Sequence, residues 1–370
     1  MYDIAIVGLG PAGAVLAKNL SKGLKIIAID KKPAETHAVD GGFMKPCGGM
    51  LAPDAQKSFS RFDMALPKDI LVNPQIFSVK TIDLKSSIVR YYQRYYINMD
   101  RDKFDRWLIS AIPSSVEVVQ GAVCTAVTRQ SGGFEIVYSK NGQKTTITTK
   151  YVIGADGANS AVRRALYPNF KINTYMAIQQ WFKDEHPSPF YSCIFDPAVT
   201  PSYAWGLTKD DSFIFGGAFH METARQDFET LKQKLTPHGF VLASPIKTEA
   251  CMVLHPFGLN NYCLGTNGVF LVGEAAGLIS PTSLEGISHA IDSAYILSQC
   301  INGTKAPTSG SIATAASNMA TVNSAYRHRV SSICTKLFVK YLKYPFMYQP
   351  NLRRLVMKSG IASLKMAGKQ

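Results

Sequence analysis

The sequence predicts an α/β protein: a Rossmann-type domain, an inserted antiparallel-sheet domain and a helical C-terminus. Three observations carry that prediction. The opening stretch, MYDIAIVGLGPAGAVLAKNLSKGLKIIAID, sets a glycine-rich turn between an apolar strand and a helix, then adds a second apolar strand. Residues 172–257 change to stretches that alternate apolar and polar side chains, the period of strands with one covered face. Beyond Thr304 a polar linker leads into two or three helices in which Tyr and Phe interleave with Lys and Arg.

In the opening unit each residue type has a physical reason. The strand Ile4 to Val7 runs into Gly8-Leu9-Gly10-Pro11-Ala12-Gly13. Gly8 permits the tight turn, Gly10 lets backbone approach a pyrophosphate, and Gly13 lets helix and strand pack closely. The helix N-terminus offers its N–H groups to phosphate. Asp30, about 20 residues past the glycines, is placed to accept from a ribose diol. The pattern points to a dinucleotide without saying which.

Lys31 to Pro53 holds Gly41-Gly42 and Lys45-Pro46-Cys47-Gly48-Gly49-Met50-Leu51, a density of Gly and Pro that predicts a structured loop. A short helix is expected over 55–64, and Phe77 to Tyr92 alternates as one or two antiparallel strands would. Asp100 is placed to cap a helix through Leu108. Val116 to Val119 reads as a strand. Phe134–Tyr138 and Thr145–Thr148, joined through Asn141-Gly142, read as a hairpin leading to the strand Tyr151-Val152-Ile153. Strands are expected around Ala177–Phe182, Phe190–Phe195, Tyr203–Leu207 and Ser212–Phe219, with a helix near Glu222–Leu235. The Rossmann domain returns with the strand Gly268 to Val272 and a helix from about Leu284 to Cys300.

Composition bounds the class. With 370 residues, 46% apolar and 18% charged, the chain suits a folded protein of two domains and not a disordered one. No apolar run reaches membrane-spanning length. The N-terminus, with Asp3 and no basic stretch, does not read as a signal peptide. The cysteines at 47, 124, 193, 251, 263, 300 and 334 show neither CxxC pairing nor zinc spacing, which suits a reducing cytoplasm and suggests no metal site. His220, His255 and His289 lack spacing partners and read as structural. Net charge is +14, and the segment from Ser293 to Gln370 carries eleven Lys/Arg and no Asp/Glu. An acid-free basic tail points to a polyanion partner; its competing reading is a merely solvated tail.

GLGPAG at 8–13, GADGANSAVRR at 154–164 and GEAAGLISPTSLEGI at 273–287 stand in one order. That order resembles the flavoprotein group of aromatic hydroxylases and geranylgeranyl reductases, in which the three motifs wrap one FAD on a glutathione-reductase-like fold. The resemblance implies an FAD domain over 1–70, 95–170 and 262–303, a substrate domain over 71–94 and 171–261, and a basic helical region over 304–370. It places Gly8, Gly10, Ala12 and Gly13 at the pyrophosphate, Asp30 at the adenosine ribose and Arg101, within a DRxxFDxxL pattern, near the cofactor. Val123 would give a backbone contact beside adenine, with Asp156, Gly273 and Glu274 along the chain of the cofactor. The N–H groups of Gly286 and Ile287 would face the flavin pyrimidine, where negative charge develops on reduction. The family has Gly-Asp where this chain has Gly273-Glu274, which puts the direct carboxylate contact in doubt.

Two segments choose the subgroup. KPCGG at 45–49 resembles the geranylgeranyl reductase loop that brings a cysteine, here Cys47 with Gly48, to the flavin. Pro201-Ser202-Tyr203-Ala204-Trp205 resembles the first half of their Tyr-x-Trp-x-Phe-Pro signature; the Phe-Pro half is absent, the chain continuing Gly206-Leu207-Thr208. The resemblance implies an FAD-dependent oxidoreductase that reduces isolated C=C bonds of a polyprenyl lipid by hydride transfer. Cys47 would act as proton donor or channel gate, and Tyr203 and Trp205 would line the lipid; ordinary core packing is the competing reading of all three. With no second glycine fingerprint, electrons are expected from transient NAD(P)H or an external redox carrier. The basic tail, including Arg327, Arg329, Lys336, Lys340, Lys343, Arg353, Arg354 and Lys358 among Phe338, Tyr341, Tyr344, Phe346 and Tyr348, suits an anionic membrane surface or the phosphate of a polyprenyl phosphate. A cytoplasmic protein, peripheral on the inner face of the cell membrane, is the expectation. Nucleic acid is not, since no recognition module is visible. A flavin monooxygenase and a non-enzymatic FAD-bearing lipid binder that affects toxin tolerance at the envelope are the alternatives. A flavin halogenase is disfavoured by the lack of a Trp-x-Trp-x-Ile-Pro stretch.

Overall fold

The computed structural model describes residues 1–21, 23–35, 45–184, 187–303 and 312–366. In chain order the first elements are β1 (Tyr2–Val7), α1 (Pro11–Asn19), β2 (Ile26–Asp30), β3 (Met50–Leu51), α2 (Pro53–Arg61), β4 (Ile76–Asp83), β5 (Ile88–Asn98) and α3 (Arg101–Ser110). There follow β6 (Val116–Gln120), β7 (Ala122–Gln130), β8 (Gly133–Lys140), β9 (Gln143–Gly154), α4 (Ala161–Leu166), β10 (Asn173–Lys183), β11 (Phe190–Phe195), β12 (Ala204–Lys209) and β13 (Ser212–Phe219). Then come α5 (Ala224–Leu235), β14 (Lys247–His255), β15 (Val269–Leu271), α6 (Ile287–Gly303), α7 (Ile312–Tyr341), α8 (Tyr344–Tyr348) and α9 (Pro350–Ser359). They divide into two compact units. One comprises Met1–Phe43, Asp105–Asn173 and Leu254–Val339, the other Met44–Phe104, Thr174–Val253 and Lys340–Gln370.

The first unit is built on a sheet ordered β6-β2-β1-β9-β8-β7, with β15 also paired to β9. β6, β2, β1, β9 and β15 run parallel. β1, β2 and β15 are near-continuous apolar runs because both faces of a parallel sheet are covered. β9 does two jobs. Residues 143–149 form the antiparallel hairpin with β8, and residues 151–154 lie between β1 and β15. The hairpin turns at Asn141 and Gly142, both at positive φ, the geometry that matches strand twist. The expected hairpin and the strand at 151–153 are thus one continuous element. α7 closes this unit: the buried Tyr326 hydroxyl donates to the Leu271 carbonyl at 2.8 Å, and its ring meets Phe270 edge-on.

The second unit carries an eight-stranded sheet ordered β14-β10-β13-β12-β11-β4-β5-β3. Most pairs are antiparallel, as the alternation predicts, but β11 joins β4 in parallel. A strand that returns after a long excursion is free to pair in that sense, whereas hairpin neighbours are not. α5 covers one face with Phe228, Leu231 and Leu235, packed on Ile82, Ile178, Phe182, Ile194, Phe215 and Phe219. Because side chains alternate along a strand, Trp205, Leu207 and Lys209 of β12 point to the opposite face, where Tyr203, just before the strand, meets Trp205.

Several expected boundaries move. α2 starts at Pro53 and ends by Arg61, and Asp63 in the left-handed region stops the helix short of 64. α6 starts at Ile287 and not at Leu284, since Leu284 has φ +51° in the preceding turn. The polar stretch expected to be a linker from Thr304 is helical from Ile312 onward; Thr304–Ser311 lies outside the described residues, as do Gly41 and Gly42 of the loop. The C-terminal helices are shared, α7 with the first unit and α8–α9 with the second.

Candidate functional site

In the first unit the glycine motifs meet at one edge of the parallel sheet, because each follows the C-terminal end of a parallel strand: β1, β9 and β15. Gly8 has φ +97°, and a Cβ there would lie 2.5 Å from the Ala155 carbonyl oxygen, so the first and second motifs abut. A Cβ at Gly13 would strike the Gly8 carbonyl oxygen at 1.9 Å. A Cβ at Gly273 would lie 3.2 Å from those of Ala12 and Ala290, which brings in the third motif. Arg163, which sequence reasoning left without a role, ties the second and third motifs. Its buried guanidinium donates to the Ala275 carbonyl at 2.6 Å and to the Ala158 carbonyl.

Around that junction the residues fit a dinucleotide. Among the described residues, chain neighbours aside, no atom lies within 4 Å of a Cβ built on Gly10, which is the N-cap of α1 and leaves the helix end open. Ala14 N–H bonds back to the Gly10 carbonyl, so the N–H groups of Ala12 and Gly13 have no intrahelical acceptor. There is no acid in the first turn to compete with a phosphate. Asp30 is buried at the end of β2, accepting from Leu9 N–H through one oxygen and from Lys32 N–H at 2.7 Å through the other. Each oxygen keeps a lone pair for a ribose hydroxyl. Asp156 Oδ2 accepts from Ala161 N–H at 2.7 Å and Val162 N–H at 3.3 Å. Its Oδ1 is buried without a well-placed partner among the described residues. Burial raises the Asp156 pKa, partly offset by the neighbouring Ser160 hydroxyl and by backbone N–H groups. A buried carboxyl oxygen left open in this way suits a hydroxyl donor from a ligand.

The remaining expected cofactor residues are placed as follows. Glu274 accepts from Leu254 N–H at 3.1 Å, so one oxygen of the longer carboxylate is drawn to the end of β14. Gly286 occupies the N-cap position of α6, its carbonyl accepting from Ala290 N–H at 2.9 Å, and the Ile287 N–H opens the helix. Val123 lies in β7 opposite Ser139, with its side chain exposed. Arg101 opens α3, where the Asp100 carboxylate accepts from Asp102 N–H at 2.8 Å and Lys103 N–H at 3.0 Å, the expected cap. His255 is buried with Nε2 at 3.0 Å from the Pro281 carbonyl, a structural contact. No cluster of metal-ligating side chains occurs among the described residues.

In the second unit the three expected catalytic residues come together on the sheet face opposite α5. The loop of Cys47, Gly48 and Gly49 lies over β12: a Cβ at Gly48 would be 3.6 Å from Leu207 and 3.9 Å from the Trp205 ring. Gly49 N–H donates to Cys47 Sγ at 3.4 Å. Trp205 meets Tyr203 edge-on at 6.0 Å, and the buried Tyr191 hydrogen-bonds Tyr203. The Trp205 indole N–H donates to Gln179 at 3.1 Å, and Gln179 donates to Glu249 at 3.2 Å. Glu249 also takes the Trp181 N–H at 2.9 Å and an ion pair with Lys247 at 2.6 Å. The Trp205 ring therefore has a satisfied polar end and a fixed orientation.

Beneath the loop sits Lys209, missed by sequence reasoning. It is 6% exposed, and its ammonium donates to the carbonyls of Met99 at 2.6 Å and Gly49 at 3.1 Å and to Asn98 Oδ1 at 2.7 Å. Burial lowers its pKa to about 8, against the opposing pull of Cys47, Asp100 and Asp210. Three oxygen acceptors match the three N–H bonds of the charged form. The available signal was its spacing, two and four residues beyond Leu207 and Trp205, but Asp210-Asp211 beside it reads as a solvent turn.

A family model described as an FAD binding domain matches residues 66–190. Protein CbrA of Escherichia coli O157:H7 is 46% identical over 98% of this chain and 98% of its own length. Among solved structures, a geranylgeranyl bacteriochlorophyll reductase-like protein from Thermoplasma acidophilum is similar with a TM-score of 0.78 at 18% identity, over 100% of this chain and 93% of that one. A probable FAD-dependent monooxygenase from Pseudomonas aeruginosa is similar with a TM-score of 0.66 at 15% identity, over 96% of this chain and 99% of that one. The fold is the FAD-binding α/β fold of the reductase and hydroxylase group, and FAD is the cofactor. The chain belongs to the CbrA family and carries an FAD-binding domain.

Proposed function

We propose that this protein is a reductase of the geranylgeranyl type that saturates isolated C=C bonds of a polyprenyl lipid. The observation that carries the reading is the seating of the Cys47–Gly49 loop on Trp205 and Leu207, beside Tyr203. An unactivated alkene has no carbonyl to polarise, so a protein can accelerate its reduction chiefly by holding it in place and excluding water. Bound FAD, once reduced, supplies the hydride. The chain's own residues supply the rest. Trp205, steadied by Gln179, and Tyr203 give rigid apolar surface for a prenyl unit. The Cys47 thiol holds a proton near that surface, and Lys209 fastens the loop that carries it. In the first unit the open helix end at Gly10, together with Asp30 and Asp156, holds the dinucleotide. The electron donor is external, NAD(P)H or a redox carrier. Resemblance to a geranylgeranyl bacteriochlorophyll reductase-like protein supports this assignment.

The test is anaerobic: flavin reduced with dithionite is mixed with a polyprenyl phosphate in detergent, and products are followed by mass spectrometry. Flavin reoxidation with a gain of two hydrogens per bond is expected. Flavin that stays reduced with no saturated product would sink the proposal. The likeness to a probable FAD-dependent monooxygenase keeps a second reading in play. Oxygen consumption that depends on an aromatic substrate would favour it, and flavin that no donor reduces would favour a non-enzymatic lipid binder.

A further inference from the structure

We propose that the outward face of α8, α9 and the segment to Leu364 docks the second unit onto an anionic lipid bilayer. The inner face of this segment is fully engaged with its own unit. Arg353 pairs with Asp83 at 3.2 Å, both buried, donates to the Met347 carbonyl at 2.7 Å and lies over the Phe195 ring. Met357 is buried, and its carbonyl accepts from Arg90 at 2.9 Å. Tyr348 packs on Phe195 and hydrogen-bonds Ser202, Tyr344 hydrogen-bonds Tyr175, and Leu364 N–H donates to the Tyr91 carbonyl at 2.7 Å. Arg353 and these tyrosines are thus turned inward, away from the headgroup role that the composition of the tail suggests for them.

What faces outward is aliphatic and cationic. Leu355 is 69% exposed and Ile361 75%, with Leu342, Phe346, Leu352, Val356 and Leu364 also exposed. On α9, Leu352, Leu355 and Val356 follow the three-and-four spacing of one helical stripe, and Arg354 and Lys358 form the adjoining stripe. Lys343 and Lys365 extend the exposed cationic set. No acid occurs after Asp292 to offset it. An exposed apolar stripe that the fold does not use, flanked by cations, matches a helix lying in a headgroup layer. Charge complementarity selects an anionic bilayer over a second copy, which would oppose cation to cation. No helix among the described residues is long and apolar enough to span a membrane, so docking is peripheral. The inference stands apart from the proposed reaction, since bilayer binding is read without turnover.

The experiment sediments FAD-loaded protein with vesicles of phosphatidylcholine alone or mixed with phosphatidylglycerol, at low and high salt. Binding is expected only with phosphatidylglycerol and should weaken as salt rises. Leu355→Ser with Ile361→Ser should weaken it at least ~10-fold, and Arg354→Glu with Lys358→Glu by more than the ~5-fold expected for losing a single cation. Flavin absorbance and thermal unfolding check that the variants fold. The wild-type lipid and salt dependence decides the matter even if one does not. Equal pelleting on neutral vesicles, no pelleting, or binding indifferent to both pairs would overturn the proposal. So would a dimer in sedimentation velocity that Leu355→Ser dissolves, since the face would then be covered by a second copy.

Discussion

Lys209 places a positive charge inside the second unit, and its surroundings make the consequence measurable. The native amine gives up its proton at about pH 8, the unfolded chain near 10.5. Between those values the unfolded chain binds more protons, so this group makes stability rise with pH, by up to about 3 kcal/mol across the window. Urea unfolding at pH 7.5, 9 and 10 should therefore show wild type gaining on Lys209→Met as pH rises. A difference that stays flat would mean that burial does not lower the pKa of the native amine. The glycines above it separate packing from chemistry. Gly49 has φ +61°, and a Cβ would meet the Met99 carbonyl oxygen at 2.4 Å, so Gly49→Ala should cost about 1–3 kcal/mol. Gly48→Ala makes only ordinary contacts and should leave stability within ~0.5 kcal/mol, whatever it does to turnover. Cys47, Tyr203 and Trp205 could be singled out as candidates because each sits in a local string of unusual residues. Lys209 and Gln179 were not, because their partners lie 160 and 26 residues away in the chain.

At the scale of elements, the turn from β1 into α1 separates folding from cofactor binding. Gly8→Ala puts a side chain at φ +97° against the Ala155 carbonyl and should destabilise the apo-protein by more than about 2 kcal/mol. Gly10→Ala meets no atom of the described residues beyond its chain neighbours, so the apo-protein should melt unchanged while FAD affinity falls at least ~10-fold. Apo thermal unfolding and flavin fluorescence titration measure the two effects. If Gly10→Ala binds FAD as wild type does, that opening is not the phosphate site. A buried ion pair ties α9 to β4. Arg353→Met leaves Asp83 charged, 0% exposed as a residue, and should cost about 3–5 kcal/mol in urea unfolding, with Asp83→Asn beside it recovering part. Sequence spacing could place α9 as an amphipathic helix. It could not say that Arg353 faces inward, because an arginine beside Arg354 in a basic tail carries no mark of its partner in β4.

For the molecule as a whole, the glycine motifs were readable in order because tight turns after strands impose residue types locally. The division into two units was less so, since the long helix α7 begins in a stretch of Ser, Thr and Ala that resembles a linker, and its place is set by Tyr326 reaching Leu271. The parallel junction of β11 with β4 likewise depends on segments more than a hundred residues apart. The same distance dependence gives β9 an unexpected importance. Its early residues are fixed by the two-residue turn at Asn141-Gly142, and its last residues carry Gly154, Ala155 and Asp156 to the ends of β1 and β15. A slip of one residue at the turn would reverse the facing of Val152 and Ile153 and move Asp156 by one step along the strand. The surface hairpin tip at Asn141-Gly142 therefore acts as a length gauge for Asp156, fifteen residues beyond Asn141 in the proposed flavin site, and lengthening it by one residue should release flavin before it unfolds the protein.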